Sequence, residues 1–168
     1  MELTQNPSVL ELVQKTAELT TPKEIVWIDG SEAQLESLRK IAVETGELIK
    51  LNEEKLPGCY LNRSDVNDVA RIEGRTFICS RTREEAGPTN NWMDPNEMKA
   101  KLHEILRCAM AGRTMYVIPY SMGVIGSPFA KYGIEVKDSI YVVLNMAIMT
   151  RIGTKVLDAL GDSSDVIL

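Results

Sequence analysis

The sequence has no long apolar run, no surplus of positive charge and no signal-peptide profile in its first residues. A membrane-spanning helix needs about 20 apolar residues in succession, and no run among the 168 residues approaches that length. The first residues, Met1-Glu2-Leu3-Thr4-Gln5, lack the basic and then apolar profile of a signal peptide. The net charge of −5 disfavours nucleic acid and anionic membranes as partners, because phosphate groups bind cationic surfaces. We therefore expect a cytoplasmic protein with neither partner.

Cysteine and histidine are also scarce. The three cysteines, Cys59, Cys79 and Cys108, are an odd number and include no Cys-x-x-Cys pair, which argues against a disulfide framework and a zinc cluster. Each lies in or beside an apolar segment, so we expect buried free thiols. The single histidine, His103, has cations rather than metal ligands one helical turn away on either side, and we expect it at the surface.

Apolar periodicity and turn residues divide the chain into alternating helices and strands. Capping residues, glycines and amphipathic spacing predict helices at 7–21, 31–46, 94–112 and 155–160. In the second helix Ser31 is the expected cap, and Leu35, Leu38 and Ala42 lie on one face. Continuous apolar or β-branched runs predict strands at 25–28, 75–79 and 114–118. Periodicity does not decide the apolar run 140–149, but Tyr141, Val142 and Val143 favour a strand. The fold class is α/β (mixed α+β), a single domain over 1–168 with a mixed sheet flanked by helices.

Two further expectations concern burial. The helix that begins after Asp94 has apolar residues at helical spacing, and we expect this stripe to be buried as far as Gly112; its members are Met98, Leu102, Ile105 and Leu106. The segment 84–92 contains glycine, proline and two asparagines, which predicts an exposed and mobile loop.

Arginines are concentrated in one segment. Between Lys55 and Lys99 there is no lysine, yet five arginines fall within 21 residues: Arg63, Arg71, Arg75, Arg81 and Arg83. The planar guanidinium group binds two oxygens of a carboxylate or phosphate at once, so this segment is a candidate anion site. The alternative is surface ion pairing with the acidic residues of the same segment, which contributes little and implies no function. Composition alone leaves both possibilities open.

Several short motifs occur in the order of one known family. The segment Asp68-Val69-Ala70-Arg71-Ile72-Glu73 is one, and Trp92-Met93-Asp94-Pro95 is another. The run 112–128 contains Ile118-Pro119-Tyr120-Ser121-Met122-Gly123 and then a Gly-Ser-Pro turn, and 149–153 reads Met-Thr-Arg-Ile-Gly. In this order the chain resembles the amino-terminal domain of GTP-dependent phosphoenolpyruvate carboxykinase. We interpret 112–153 as scaffold, with core strands and with Pro119, Gly123, Gly126 and Pro128 at turns.

The resemblance implies roles for two residues. Arg71 matches the family's arginine that contacts the anionic groups of oxaloacetate or phosphoenolpyruvate, and Glu73 matches the glutamate that contacts a mobile lid over the active site. A guanidinium group suits the first role, because it holds a carboxylate without exchanging a proton. Lid closure would protect an enolate from protonation. The resemblance supplies neither a catalytic residue nor a metal ligand in this chain.

The family's nucleotide machinery has no counterpart in this sequence. No Gly-x4-Gly-Lys-Thr/Ser motif is present, and His103 does not match the family's metal-binding context. The resemblance implies GTP and Mn²⁺ or Mg²⁺ as cofactors of the whole enzyme, none of them bound by this chain alone. Residues 165–168 look like the start of a strand, so we expect a truncated chain without the carboxy-terminal nucleotide-binding domain and without activity. Two alternatives stay open: a stand-alone dicarboxylate-binding module and an inert structural fragment.

Overall fold

The computed structural model describes residues 2–64, 66 and 72–168. Within these residues lie five α-helices: α1 Pro7–Thr20, α2 Glu32–Glu44, α3 Pro95–Leu106, α4 Ile140–Met149 and α5 Thr154–Leu160. The same part contains eight strands: β1 Glu24–Trp27, β2 Ile49–Lys50, β3 Tyr60–Leu61, β4 Phe77–Ile78, β5 Asn91–Trp92, β6 Thr114–Met122, β7 Lys131–Lys137 and β8 Arg151–Ile152. Two short 3₁₀ turns cover Glu73–Arg75 and Glu84–Ala86.

Strand β6 is the centre of the main sheet. It pairs in parallel with β1 from Glu24↔Thr114 to Trp27↔Val117, and antiparallel with β7 along its other edge. Beyond the end of β1, the first edge of β6 continues with β8, which is antiparallel. The sheet is therefore mixed, as the sequence predicted. The outer edge of β7 is extended by Ile167, whose backbone bonds to residues of that strand at 2.9 Å.

Pro119 lies inside β6 rather than at a turn, which corrects the sequence interpretation. It stands opposite Ile134 of β7, and its carbonyl accepts a hydrogen bond from Gly153 N at 3.0 Å on the other edge. The missing N–H of proline points to this same edge, in the gap between the pairing of β1, which ends at Val117, and that of β8, which begins at Tyr120. A proline is tolerated there because no ladder bond is lost.

Both faces of the sheet are covered by helices. Alternate residues of β6 point to opposite faces. One face packs against α2 and α4 in a cluster of Ile28, Leu35, Leu38, Ala42, Leu48, Tyr116, Ile118, Ile140, Val143 and Leu144. The other face packs against α1 and α5 in a cluster of Val9, Val13, Trp27, Met115, Val117, Ile134, Leu157 and Leu160. This arrangement confirms the predicted mixed α/β class with helices flanking a mixed sheet.

The segment 140–149 is helix α4, so the prediction of a strand was wrong. Its buried residues, Ile140, Val143 and Leu144, follow the i, i+3, i+4 spacing of a helix face. Tyrosine and valine favour strands only weakly, and burial of this face against α2 outweighs that preference.

Helix α3 starts where the sequence predicted but is shorter and more exposed. Asp94 Oδ1 accepts hydrogen bonds from Asn96 N at 2.8 Å and Glu97 N at 3.2 Å, as a helix cap does. The helix ends at Leu106, not Gly112, and none of its residues is buried. Its apolar stripe is 45% exposed at Leu102, 72% at Ile105 and 42% at Leu106. The stripe is exposed because α3 packs beside α1 and not on a face of the sheet.

The structure also tests the predictions for the cysteines, His103 and the segments 75–79 and 84–92. The three cysteines are free but exposed, which corrects the prediction of burial. His103 is exposed, as predicted. The strand predicted at 75–79 is limited to Phe77–Ile78. The segment predicted as a loop at 84–92 contains a 3₁₀ turn with buried Ala86, and it ends in β5.

Candidate functional site

Of the two residues that the sequence indicates, the structure describes Glu73 but not Arg71. Arg71, and with it the motif residues from Asp68 to Ala70, lies outside the described residues. Glu73 is described: it begins the 3₁₀ turn Glu73–Arg75 and its side chain is exposed. The residues around Glu73 therefore define the candidate site.

The side chain of Asn91 hydrogen-bonds to the backbone of Glu73 and Thr76. Its Nδ2 donates to the carbonyl of Glu73 at 2.7 Å and to that of Thr76 at 3.2 Å. Strand β5 holds Asn91 in register, because Phe77 pairs with Asn91 and Ile78 with Trp92 in the parallel β4–β5 pair. Sequence reasoning missed this positioning role. The available signal was an asparagine directly before Trp92-Met93-Asp94-Pro95.

The polypeptide between β4 and β5 folds back on itself. Trp92 Nε1 donates to the carbonyl of Ser80 at 3.1 Å. The backbone N–H of Arg81 donates to Glu85 Oε2 at 3.2 Å. Asn90 Nδ2 donates to the carbonyl of Ala86 at 2.7 Å. These bonds satisfy two backbone carbonyls and one backbone N–H of the loop, so the segment has a defined shape without a large apolar core.

A polar cavity lies beside Glu73. Its volume is about 590 Å³, and it is lined by Glu73, Gly74, Thr76, Ile78, Thr89, Asn90 and Asn91. Amides, hydroxyls and a carboxylate can bind a small polar molecule through hydrogen bonds. Glu73 is the one charged residue among these described lining residues, so they do not by themselves form an anion site.

The described arginines of the cluster are exposed. Arg63, Arg75, Arg81 and Arg83 form no ion pair with any carboxylate in the described part of the chain. The predicted alternative of surface pairing with Glu73, Glu84 and Glu85 is therefore not observed for these four guanidinium groups. Pairing with Asp65 or Asp68 lies outside the described residues.

The described residues contain neither a metal-binding cluster nor a membrane-spanning helix. Over 2–64, 66 and 72–168, no group of three or more His, Cys, Asp or Glu side chains has an arrangement that could hold a metal ion. No helix within these ranges has the length and apolarity needed to cross a bilayer.

Comparison with known proteins decides the family. Residues 11–167 match the model of the phosphoenolpyruvate carboxykinase N-terminal domain. The chain belongs to this family. The match covers nearly the whole chain and includes the motif around Arg71 and Glu73, the β4–β5 segment and the main sheet. The resemblance drawn from the sequence motifs is confirmed.

Curated relatives agree with the family assignment. The chain is 54% identical over 159 residues to a protein of Corynebacterium kroppenstedtii, covering 95% of the chain and 26% of that protein. It is 53% identical over 156 residues to one of Neocallimastix frontalis, covering 93% and 26%. For one of Anaeromyxobacter dehalogenans the identity is 52% over 162 residues, covering 96% and 27%. All three relatives are named phosphoenolpyruvate carboxykinase [GTP]. The chain spans about a quarter of the length of these relatives.

Proposed function

We propose that this chain is the substrate-side domain of a GTP-dependent phosphoenolpyruvate carboxykinase. The whole enzyme converts oxaloacetate and GTP to phosphoenolpyruvate, carbon dioxide and GDP. One observation supports this most directly: relatives with that name are 52–54% identical to the chain over nearly all its length. The proposal divides the work, with substrate-anion binding in this chain and nucleotide binding in a carboxy-terminal domain.

Arg71 is the proposed substrate anchor. Oxaloacetate is a dianion, and phosphoenolpyruvate keeps a carboxylate and gains a phosphate, so a group that remains positively charged suits substrate and product alike. Arginine has this property, because its guanidinium group stays protonated and presents a planar fork to two oxygens. Holding the carboxylate in one orientation favours decarboxylation by restricting the substrate to a reactive geometry.

Glu73 is the proposed lid contact. Its backbone carbonyl is held by Asn91 Nδ2 at 2.7 Å, whereas its carboxylate makes no hydrogen bond or ion pair with the described residues. A fixed backbone with an exposed carboxylate suits a residue that binds a segment arriving from elsewhere. Lid closure would exclude water from the enolate and prevent its protonation to pyruvate.

GTP and Mn²⁺ or Mg²⁺ are the proposed cofactors of the whole enzyme. The chain has no Gly-x4-Gly-Lys-Thr/Ser motif, and its described residues provide no cluster of metal ligands. The donor set therefore does not fit either group, and we place both in the carboxy-terminal domain. Alone, the 168-residue chain should form no phosphoenolpyruvate; GTP-dependent formation by the purified chain would overturn this division of labour.

A chimaera tests the proposal for the whole enzyme. The chain is joined to the remaining sequence of the Corynebacterium kroppenstedtii relative and assayed for GTP-dependent conversion of oxaloacetate. We expect activity, a loss of at least roughly a hundredfold in Arg71→Ala because a charged anchor is removed from the substrate, and little change in the matched control Arg75→Ala. An active Arg71→Ala chimaera would show that Arg71 is not the anchor.

Binding to the isolated chain separates the remaining alternatives. Malonate, a stable dicarboxylate, is titrated into the chain by calorimetry. Binding that disappears in Arg71→Ala but persists in Arg75→Ala supports a substrate-binding role that this chain retains alone. No heat of binding, together with an active chimaera, indicates a domain that needs its carboxy-terminal partner. No binding and an inactive chimaera indicate an inert structural fragment.

A further inference from the structure

A second and larger cavity shares no lining residue with the cavity beside Glu73. Its volume is about 870 Å³, within the range of small-molecule sites. It opens at the carboxyl end of β1, where the turn from β1 into α2 meets the turn from β8 into α5. Ligands of open α/β sheets commonly bind outside the carboxyl ends of the strands, so its position is typical of a binding site.

Two glycines bring the walls of this cavity together. A Cβ atom on Gly153 would lie 2.1 Å from the carbonyl oxygen of Asp29, and one on Gly30 would lie 2.5 Å from that of Ile152. A backbone hydrogen bond joins the two turns: Thr154 N donates to the carbonyl of Asp29 at 3.1 Å. The polar lining residues are therefore held by strands, helices and a backbone-to-backbone contact.

Positive charge is concentrated at this cavity. Arg151 lies on β8 opposite Ser121, and Lys155 lies in the first turn of α5. Neither forms an ion pair with a carboxylate of the described residues. Asp29 is the one carboxylate among the described lining residues, and its Oδ1 accepts a hydrogen bond from Ser31 N at 2.7 Å. The lining thus carries one net positive charge, although the chain carries −5.

The remaining lining combines hydroxyl groups with an apolar wall. Thr150 Oγ1 donates to the carbonyl of Met146 at 2.7 Å, which fixes its orientation, and Thr154 adds a second hydroxyl. The apolar wall consists of Leu35, Val124, Ile125, Ala147 and Ile152. Such a cavity matches a ligand with an anionic end and an apolar body.

We propose that this cavity binds a small organic phosphate, with the phosphate group between Arg151 and Lys155 and the organic part against the apolar wall. A phosphate monoester carries about −1.5 to −2 charges near neutral pH, so it is better matched to two cations than a monocarboxylate is. The fork of Arg151 binds two phosphate oxygens and Lys155 supplies a point charge. This cavity shares no lining residue with the cavity beside Glu73, and the proposal does not depend on the proposed carboxykinase function.

Phenyl phosphate is the probe for this site. It is titrated into the ¹⁵N-labelled chain, and amide shifts are followed by nuclear magnetic resonance. We expect shifts at Gly30, Ser31 and Thr154, and roughly tenfold weaker binding in each of Arg151→Gln and Lys155→Gln, as the loss of a charged hydrogen bond predicts. Lys40→Gln, an exposed lysine outside the cavity, is the matched control and should bind as the unmodified chain does.

Two further titrations separate the possible outcomes. Inorganic phosphate should bind more weakly than phenyl phosphate if the apolar wall contributes, and equal affinity would overturn that part of the proposal. Arg71→Ala should leave phenyl phosphate binding unchanged. If Arg71→Ala abolishes binding, or the shifts fall at 72–92, the anion binds at the arginine segment and this site is refuted, whereas the proposed function stands or falls on the chimaera. No shifts at millimolar phenyl phosphate would also refute it.

Discussion

The carboxylate of Glu47 caps a helix that begins more than ninety residues later in the chain. Its Oε1 accepts a hydrogen bond from the backbone N–H of Tyr141 at 2.9 Å and another from Ser139 Oγ at 2.7 Å. Ser139, at the cap position of α4, makes no capping bond of its own. A negative charge at a helix amino terminus is favourable because it satisfies free N–H groups and interacts with the helix dipole.

Replacement of Glu47 should therefore destabilise the domain. In Glu47→Ala the amino terminus of α4 loses its acceptor, and we expect the free energy of unfolding to fall by about 1–3 kcal/mol, as for the loss of a charged hydrogen bond. Urea denaturation at neutral pH measures the change. Glu44→Ala, at an exposed position of α2, is the matched control and should shift the midpoint little. Equal effects of the two variants would show that Glu47 is not a cap.

Gly153 should tolerate alanine worse than Gly46, which also has a positive φ. Both Gly153, at φ +100°, and Gly46, at φ +81°, adopt backbone conformations that strain an L side chain. Only Gly153 also faces a backbone atom, 2.1 Å from its would-be Cβ, whereas Gly46 has open space. We expect Gly46→Ala to lose about 1 kcal/mol from strain and Gly153→Ala at least about 3 kcal/mol. Thermal and urea unfolding of the pair give the difference directly, and similar losses would contradict the close approach.

Replacing Asn6 should lower the free energy of unfolding more than replacing an ordinary helix cap. Its Oδ1 accepts from Ser8 N and Val9 N at the start of α1, while its Nδ2 donates to the carbonyls of Gly161 and Ser163 at 2.8 and 2.9 Å. The side chain is almost fully buried. Asn6→Asp keeps the cap but turns a carboxylate toward two carbonyls.

We expect Asn6→Asp to lose about 2–4 kcal/mol of unfolding free energy, because a buried charge is left facing acceptors. Asp94→Ala removes a cap whose side chain bonds, among the described residues, only to Asn96 N and Glu97 N, and it should lose about 1 kcal/mol. Chemical denaturation compares the two. An Asn6→Asp domain as stable as the parent would exclude the donor role of Nδ2.

Alkaline pH should weaken the domain through Tyr116. Burial raises the pKa of Tyr116, and the nearby carboxylates of Glu47 and Glu24 raise it further, while the hydroxyl of Thr114 opposes them. Below the pKa of an unfolded tyrosine, about 10, the phenol is protonated in the folded and the unfolded chain. The contribution of Tyr116 to the free energy of unfolding is then fully present. As the pH rises further, the unfolded chain loses the proton first, so stability falls until the pH passes the raised folded pKa.

The comparison of Tyr116→Phe with the parent isolates this contribution. The stability of the parent relative to the variant should be constant from pH 7 to 9 and should decline above about pH 10. Denaturation at each pH, with tyrosinate absorbance as a second readout, provides the test. A parallel pH dependence in both proteins would show that Tyr116 ionises equally in the folded and unfolded states.

Features with a local cause were predictable from the sequence. The caps of α2 and α3 are examples, because Ser31 and Asp94 bond only to N–H groups two or three residues away. The buried face of α2, with Leu35, Leu38 and Ala42, also followed from spacing alone. Within the candidate site, motif order indicated Arg71 and Glu73. Asn91 was missed, since its partners, Glu73 and Thr76, are brought to it by the pairing of β4 with β5.

The sequence by itself determined the family, the mixed α/β class and the starts of α1, α2 and α3, because these depend on motif order and on interactions within a few residues. Only the tertiary structure decided that 140–149 is a helix, that the apolar stripe of α3 is exposed, and that Gly30 and Gly153 meet at the cavity of Arg151 and Lys155. The physical reason is the same in each case. Residues distant in the chain decide which side chains are buried, and they supply caps such as Glu47 on Tyr141. These long-range contacts outweigh the small differences between local helix and strand propensities.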